Sequence, residues 1–490
     1  MYKKILSLLL LIIIMAAFII ACANDSGGNN DDTKETSSAD DDGIVDENKP
    51  WTFGDVWKKL DDNLPDKNYN GESFNILTMD YQYADLSIIA DEQNGDVLND
   101  AIYKRTSNVE EEYNIVITST LYTDFWDTGY VKKLVSSGDT TYNLIWMIDR
   151  FALAAAMENC LYPLQDIPYI DLTRPYWGGE KMISLLTING IMYFAVPDYN
   201  LIGYNNASDI MFNKNMYGNL QLDDPYEMVL NGTWTYDRML DLAHSAVSDL
   251  NGDGIPNEGD SFGLICGANY LVYNFFNASD IYTVLKDESD LPYFALPGNQ
   301  KASDIYDKVF RDYYGTDVFF STMPKEDGTG IFKQRQALFF LSRILKVFIL
   351  RDMEDDFGLL PLPKYDEVQE DYLTPIESLF FSVVPTTVVD IERTGIILEA
   401  LACASYNIVV PEYYEKCLTT KLIRDDESAG VIGIILKNRV TDFGNVFFAD
   451  DIDALIFSDK KQEYSSFVEK LSSKVDAKLA KAIEYFTSVS

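Results

Sequence analysis

The run Ser73 to Met79 (Ser-Phe-Asn-Ile-Leu-Thr-Met) is short, apolar and bounded by turn formers, as a strand is, and from Val97 to Tyr113 apolar residues recur at helical spacing. The alternation continues with a strand over Asn114 to Thr120, a helix near Tyr130 to Ser137, a strand over Tyr142 to Ile148 and a helix from about Arg150. Strand–helix–strand units of this length predict an α/β lobe around a mainly parallel sheet. Further on, Tyr236 to Ser248 has a helical pattern and Phe262 to Cys266 a strand pattern. No repeat of solenoid period is visible and no long Pro or Gly linker divides the chain, which fits lobes joined by several short crossings better than separate beads.

One apolar run stands outside this pattern. Lys3 and Lys4 precede an apolar stretch from Ile5 to Ile20, shorter than the roughly 20 residues of a spanning helix, and Ile19-Ile20-Ala21-Cys22 follows. An aliphatic residue, a tolerated residue, a small residue and then a thiol form a lipobox, which predicts a cleaved signal over 1–21 and lipidation at Cys22. The alternative is an uncleaved anchor with an incidental cysteine; both place the rest of the chain outside the cytoplasm. Residues 22–50 are nearly all polar or acidic and read as a solvated tether. The folded part then starts near Trp51, and its roughly 440 residues exceed what one core organises, so at least two lobes are expected.

Removing residues 1–21 takes Lys3 and Lys4 from the 39 basic residues and none of the 78 acidic ones, for a formal charge of −41. That field repels nucleic acid and anionic membrane surfaces. Cys160, Cys266, Cys403 and Cys417 lack Cys-x-x-Cys spacing and sit among apolar or helical neighbours, as buried thiols do; a Cys403–Cys417 bridge is the alternative.

Asp249-Leu-Asn251-Gly-Asp253-Gly-Ile255-Pro-Asn257-Glu-Gly-Asp260 places oxygen ligands at positions 1, 3, 5 and 12, a glycine at position 6 and the Ile255 carbonyl at position 7. This is the pattern of a calcium loop, with Asp249, Asn251, Asp253, Ile255 and Asp260 as the ligand set and a structural Ca2+ expected; a metal-free Asx-turn loop is the bland alternative. A helix precedes the loop but a strand follows it, so no complete helix–loop–helix hand is indicated.

Catalytic patterns are missing: there is no G-x-S-x-G, Walker loop, H-E-x-x-H or G-x-G-x-x-G. The single histidine, His244, falls within the predicted helix before the calcium loop, which argues against a histidine-dependent triad. Among 78 acidic residues, paired carboxylates are inevitable and carry no weight. The 32 Tyr, 27 Phe and 6 Trp often neighbour amides and acids, as in Asp198-Tyr199-Asn200, Tyr204-Asn205-Asn206 and Tyr273-Asn274-Phe275-Phe276-Asn277, a weak pointer to sugar.

Five segments together resemble the family 1 extracellular solute-binding proteins of bacterial ABC importers, in particular their clostridial carbohydrate-binding lipoproteins: Val97-Leu-Asn-Asp-Ala-Ile-Tyr-Lys-Arg105, Asn231-Gly-Thr-Trp-Thr-Tyr-Asp237, the calcium-type loop, Phe357-Gly-Leu-Leu-Pro-Leu-Pro-Lys-Tyr-Asp366 and Lys421-Leu-Ile-Arg-Asp-Asp-Glu-Ser428. The resemblance implies an α/β, two-lobed periplasmic-binding-protein-like fold of type II, each lobe a mainly parallel sheet flanked by helices. It divides the chain into 51–200 as first lobe, 201–372 as second lobe, 373–425 as a return to the first, and 426–490 as C-terminal helices completing the second.

It also implies a ligand between the lobes. Asp149-Arg150-Phe151 matches a sugar-contacting Asp-Arg-Phe of maltose-type relatives, with Asp149 as a helix cap the alternative. By the same analogy Asp198 and Tyr199, in Val196-Pro-Asp198-Tyr199, and Ser342 and Arg343, in Leu341-Ser342-Arg343, border the cleft, while Trp177 is structural. Where maltose-type proteins carry Pro-Trp, this chain has Arg343-Ile344, so maltose is not implied, and Arg150 with Arg343 would suit acidic sugars such as uronates. The expected function is a lipid-anchored, monomeric receptor on the outer face of the cytoplasmic membrane, handing a sugar to ABC permease subunits without breaking a bond. A secreted glycosidase and an interaction-only surface protein are the alternatives.

Overall fold

The computed structural model describes residues 57–79, 88–124, 126–266, 271–314, 316–321, 328–376, 378–419, 426–444, 446, 448 and 462–489. The expected signal, Cys22 and the tether fall outside them, as does most of Lys421–Ser428. In chain order the strands are β1 (Glu72–Met79), β2 (Ile115–Tyr122), β3 (Leu144–Ile148), β4 (Ser208–Asn213), β5 (Phe262–Cys266), β6 (Val284–Lys286), β7 (Pro292–Phe294), β8 (Phe319–Ser321), β9 (Ala337–Arg343), β10 (Phe357–Leu360), β11 (Thr374–Pro375), β12 (Phe380–Val383) and β13 (Arg439–Val440).

The first sheet has the order β12-β3-β1-β2. β1 and β2 are parallel along their whole length, from Glu72 opposite Ile115 to Met79 opposite Tyr122, and β3 is parallel to β1 on its other side. Helix Val97–Tyr113 joins β1 to β2; Asp96 caps it by accepting from the Leu98 and Asn99 amides, and Asn114 ends it in the left-handed region at φ 46°. Helix Tyr130–Ser137 joins β2 back to β3 across β1. Two right-handed crossovers running in opposite directions put these helices on opposite faces of the sheet. Helix Asp149–Met157 shares the face of Tyr130–Ser137, through Lys132 Nζ to Glu158 at 2.7 Å, whereas helix Ile391–Ala404 and its continuation share that of Val97–Tyr113, through Arg105 to Ser405 and Lys416 to Asp96.

The second sheet has the order β10-β4-β9-β5-β8, with β4 antiparallel to both neighbours and the rest aligned. Each sheet is thus mainly parallel with one opposed strand, and the opposed strands, β4 and β12, are those entered directly from the other lobe. A chain arriving across the gap enters at the end where the parallel strands finish, so it runs against them. Ala207 bridges Ile376 and Ala195 bridges Ser382, which makes the two crossings a short antiparallel ribbon. The amide groups of Asn206 and Asn200 brace it, donating to the Ser378 and Phe380 carbonyls.

From Ile391 to Thr419 the chain is continuously helical, with a π turn over Ser405–Val409. The N-terminal segment uses that turn: the Trp57 indole donates to the Tyr406 carbonyl at 2.9 Å and stacks on its ring at 4.1 Å. This helix rules out the Cys403–Cys417 bridge, because 14 residues at 1.5 Å rise separate the two by about 21 Å, against less than 7 Å in a disulfide. Cys160, Cys266 and Cys403 are buried, and none of the three is in a disulfide. Helix Asp426–Lys437 packs on β10 and on helix Pro225–Leu230 in the second lobe, and the long helix Tyr464–Val489 lies against β7.

Candidate interlobe site

At the first-lobe edge, helix Asp149–Met157 begins immediately after β3. Asp149 is buried; its carboxylate accepts from its neighbour's amide, Arg150, at 2.7 Å and from the Leu379 amide at 3.2 Å, so it ties the helix start to the crossing. Arg150 is half-buried and its guanidinium lies 5.5 Å from the centre of the Trp126 ring. Phe151 meets that ring edge-on at 6.4 Å. Trp126 comes from the turn after β2, and because β1 lies between β2 and β3, it meets Arg150 and Phe151 across the end of β1. In the sequence, Trp126 is marked only by an Asp124-Phe-Trp-Asp127 turn after a strand signal.

At the second-lobe edge Ser342 is opposite Asp209 and Arg343 opposite Ser208, where the first crossing enters β4. Ser342 is buried, and half-buried Arg343 approaches the Asn206 side-chain oxygen at 3.5 Å. Through Asn206 and the Ser378 carbonyl, the Arg343 side is linked to the chain that leads to Leu379 and Asp149. The segments that follow β1, β5 and β8 in sequence, 80–87, 267–270 and 322–327, lie outside the described residues.

The other two expected contacts sit elsewhere. Tyr199 is buried beside Trp177, ring centres 6.5 Å apart. Asp198 lines a cavity of about 1330 Å³ that is walled by Tyr406, Val410 and Tyr414 of the Ile391–Thr419 helix, by Gly178–Met182 and Ser184, and by Lys301, Asp304 and Tyr365 of the second lobe. This is the face of the first sheet opposite to Arg150. Asp198 accepts from Tyr204 Oη at 2.7 Å, Arg439 stands 3.7 Å from it, and the Arg439 guanidinium covers the Tyr204 ring at 3.6 Å. Burial pushes the Asp198 carboxyl up to about 7, against the pull of Arg439 and Tyr204.

The aromatic–amide clusters are mostly core, with Tyr204 also reaching the wall of the cavity. Tyr199, Asn200, Tyr204, Asn205, Asn206 and the whole Leu271–Ala278 helix are buried, and several of their polar ends are held within the core: Tyr273 donates to the Ile376 carbonyl and Tyr413 to Asn205. A buried crossing needs side-chain partners for its backbone, which explains amides there without a ligand. Trp177 is structural as expected, its indole donating to buried Glu399 at 2.8 Å.

The Asp249–Asp260 loop leaves helix Tyr236–His244 and returns through a Ser248–Ser261 bridge to β5. Gly252 and Gly254 take φ of 76° and 72°, which lets the chain turn about Asp249, whose carboxylate accepts from both their amides. Carboxylate oxygens of Asp249, Asp253 and Asp260 lie within 4.8 Å of one another. Asn251 accepts from the Asp253 amide and exposed Ile255 leaves its carbonyl to Asn257. Three carboxylates this close, with amide and carbonyl oxygens beside them, fit a hard divalent cation.

No protein-family model matches the sequence, and no curated protein matches it. Solved structures do. The sugar-binding protein MalE from Xanthomonas citri superposes with a TM-score of 0.57 at 14% identity, covering 85% of this chain and 99% of that one. UspC from M. tuberculosis gives 0.52 at 13% identity, covering 84% and 100%. A cyclo/maltodextrin-binding protein complexed with maltotetraose gives 0.51 at 14% identity, covering 86% and 98%. The fold is therefore that of these solved structures, the two-lobed α/β fold that the sequence resemblance implied.

Proposed function

We propose that this protein is the sugar-capturing receptor of an ABC importer, binding between the two strand-end edges and releasing its cargo unaltered. One observation carries the reading: both parallel sheets end towards the crossings, with Trp126 and Arg150 at strand ends of the first and Arg343 at a strand end of the second, in a fold shared nearly end to end with proteins described as binding sugars. In open α/β sheets ligands collect outside the carboxyl ends of strands. Two lobes joined by a short ribbon can close on a ligand if it binds the closed state better, and ring stacking with hydroxyl hydrogen bonds supplies that difference. Contacts with Asp149, Asp198, Tyr199 and Ser342 belong to this reading only through the backbone and crossings they hold.

The lipobox at Ile19–Cys22 supports an acylated, extracellular monomer tethered by residues 22–50, with permease subunits as its partners. The calcium-type loop supports one structural Ca2+ remote from transport. A thermal-shift screen against maltose, maltotetraose, cellobiose, xylobiose and digalacturonate tests the receptor reading, since a ligand of the native state raises the unfolding midpoint. A midpoint rise with one glycan class supports it; no rise with any glycan counts against it.

A further inference from the structure

We propose that the cavity beside Asp198 is the seat of residues 51–56 of this same chain, with the Trp51 and Phe53 rings filling it. The described chain begins at Trp57, which is itself part of the cavity wall. Its course along helix Ile391–Thr419 gives the direction from which it comes. The Tyr69 ring lies 6.0 Å from the Arg393 guanidinium, and Lys67 pairs with Glu392 at 2.9 Å. Leu60 exchanges two hydrogen bonds with the Asn407 side chain, its amide donating at 2.9 Å and its carbonyl accepting at 2.7 Å, and Trp57 stacks on Tyr406. Traced backwards from Tyr69 to Trp57, the chain thus climbs the helix from its first turn to its π turn. The same course carries residues 56–51 past Val410 and Tyr414, which wall the cavity. Tyr406 to Tyr414 is about 12 Å of helix, and six extended residues reach about 20 Å.

The sequence of the segment fits the seat. Residues 22–50 contain no aromatic, whereas Trp51, Phe53 and Val56 immediately precede Trp57. In an extended segment Trp51 and Phe53 point to the same side as Trp57, the side that meets the helix. Tyr406, Val410 and Tyr414 offer rings and an aliphatic surface there, and Gly433 and Leu436 of helix Asp426–Lys437 form another wall. A Cβ at Gly433 would meet no atom within 4 Å, so that wall leaves room for a ring. Asp304 and Asp366 line the cavity as acceptors for a buried indole N–H. A volume of about 1330 Å³ exceeds the roughly 300–1,000 Å³ of a small-molecule site and suits a peptide segment. Because Lys301, Asp304 and Tyr365 belong to the second lobe, the seated segment touches both lobes and fixes the tether on the face away from Arg150. None of this depends on which ligand the protein carries.

The test uses the full chain without sugar. A photo-activatable benzophenone amino acid replaces Phe53, and the peptides it captures on irradiation are mapped by mass spectrometry. Hydrogen exchange over residues 51–56 is then compared between wild type and the double variant Trp51→Ser, Phe53→Ser. The expected result is cross-links within one molecule to Val410–Tyr414 or Gly430–Leu436, and exchange over 51–56 slower in wild type by about tenfold or more. Exchange elsewhere in the double variant should match wild type outside the cavity walls, which separates loss of seating from loss of fold. Cross-links only to other parts of the surface or to a second copy, or equal exchange over 51–56 in the two proteins, would overturn the seat. Either result leaves the receptor reading to its own test.

Discussion

Asp149 and Leu379 are joined twice, the Asp149 amide donating to the Leu379 carbonyl at 3.0 Å and the Leu379 amide donating to the Asp149 carboxylate at 3.2 Å. The residue that opens the helix after β3 thereby clamps the chain returning from the second lobe, one residue before it enters the sheet as β12. Asp149→Ala should cost about 1–3 kcal/mol by leaving the Leu379 amide without its acceptor in a buried place. Urea unfolding would measure it; a loss below about 0.5 kcal/mol, the scatter of neutral surface changes, would show the clamp to be incidental.

Glu399 gathers three donors, the Tyr176 hydroxyl, the Trp177 indole and the Asp171 amide, and so pins the 171–177 segment to the buried helix Ile391–Ala404. Glu399→Ala should destabilise by about 2–4 kcal/mol, because two buried side-chain donors lose their partner. Glu399→Gln keeps one acceptor and should cost less. Equal midpoints for wild type and Glu399→Ala would contradict the anchor.

Asp198 makes stability depend on pH. An unfolded Asp titrates at about 3.9, and burial raises the folded group to about 7. Between these values the folded state keeps a proton that the unfolded state has shed, so the contribution of this group is complete below about pH 4 and is lost as pH rises through 7. Asp198→Asn cannot titrate. Relative to it, the wild type should lose stability steadily from pH 4 to 7 in denaturant titrations; a constant difference across that range would contradict the raised carboxyl.

The calcium loop predicts a rise in unfolding midpoint when millimolar calcium is added to protein stripped with chelator, reflecting a stability gain of about 2.7 kcal/mol once the ion reaches a hundred times its dissociation constant. Asp253→Ala should abolish the rise, since Asp253 contributes a carboxylate to the converging three. A calcium-independent midpoint in wild type would identify the loop as a metal-free Asx turn.

Much of the fold was legible because its signals are local. Helix Val97–Tyr113 has the bounds that its apolar spacing predicted, ended by Asp96 and Asn114, and the strand at Phe262–Cys266 likewise. What local patterning could not give was direction: β4 and β12 run against their sheets because of where the chain crosses, a relation between residues more than a hundred positions apart. The site was legible in part for the same reason. Arg150 follows β3 and Arg343 ends β9, each at a strand end beside a crossing, whereas Asp198 falls on the opposite face of the first sheet, since face depends on crossover direction. Of the amides beside aromatic rings, Asn200 and Asn206 are buried and brace the crossings. Trp126 went unnoticed because nothing local distinguishes an exposed tryptophan from a core one; the contrast with buried Trp146, Trp177 and Trp234 exists only in three dimensions.

The most direct test of the receptor account is isothermal titration with the glycan selected by thermal shift, followed by chromatography of the recovered sugar. The account predicts saturable binding of one glycan per protein and its recovery intact. Absence of binding across the panel, or recovery of shortened glycan after incubation, would contradict it.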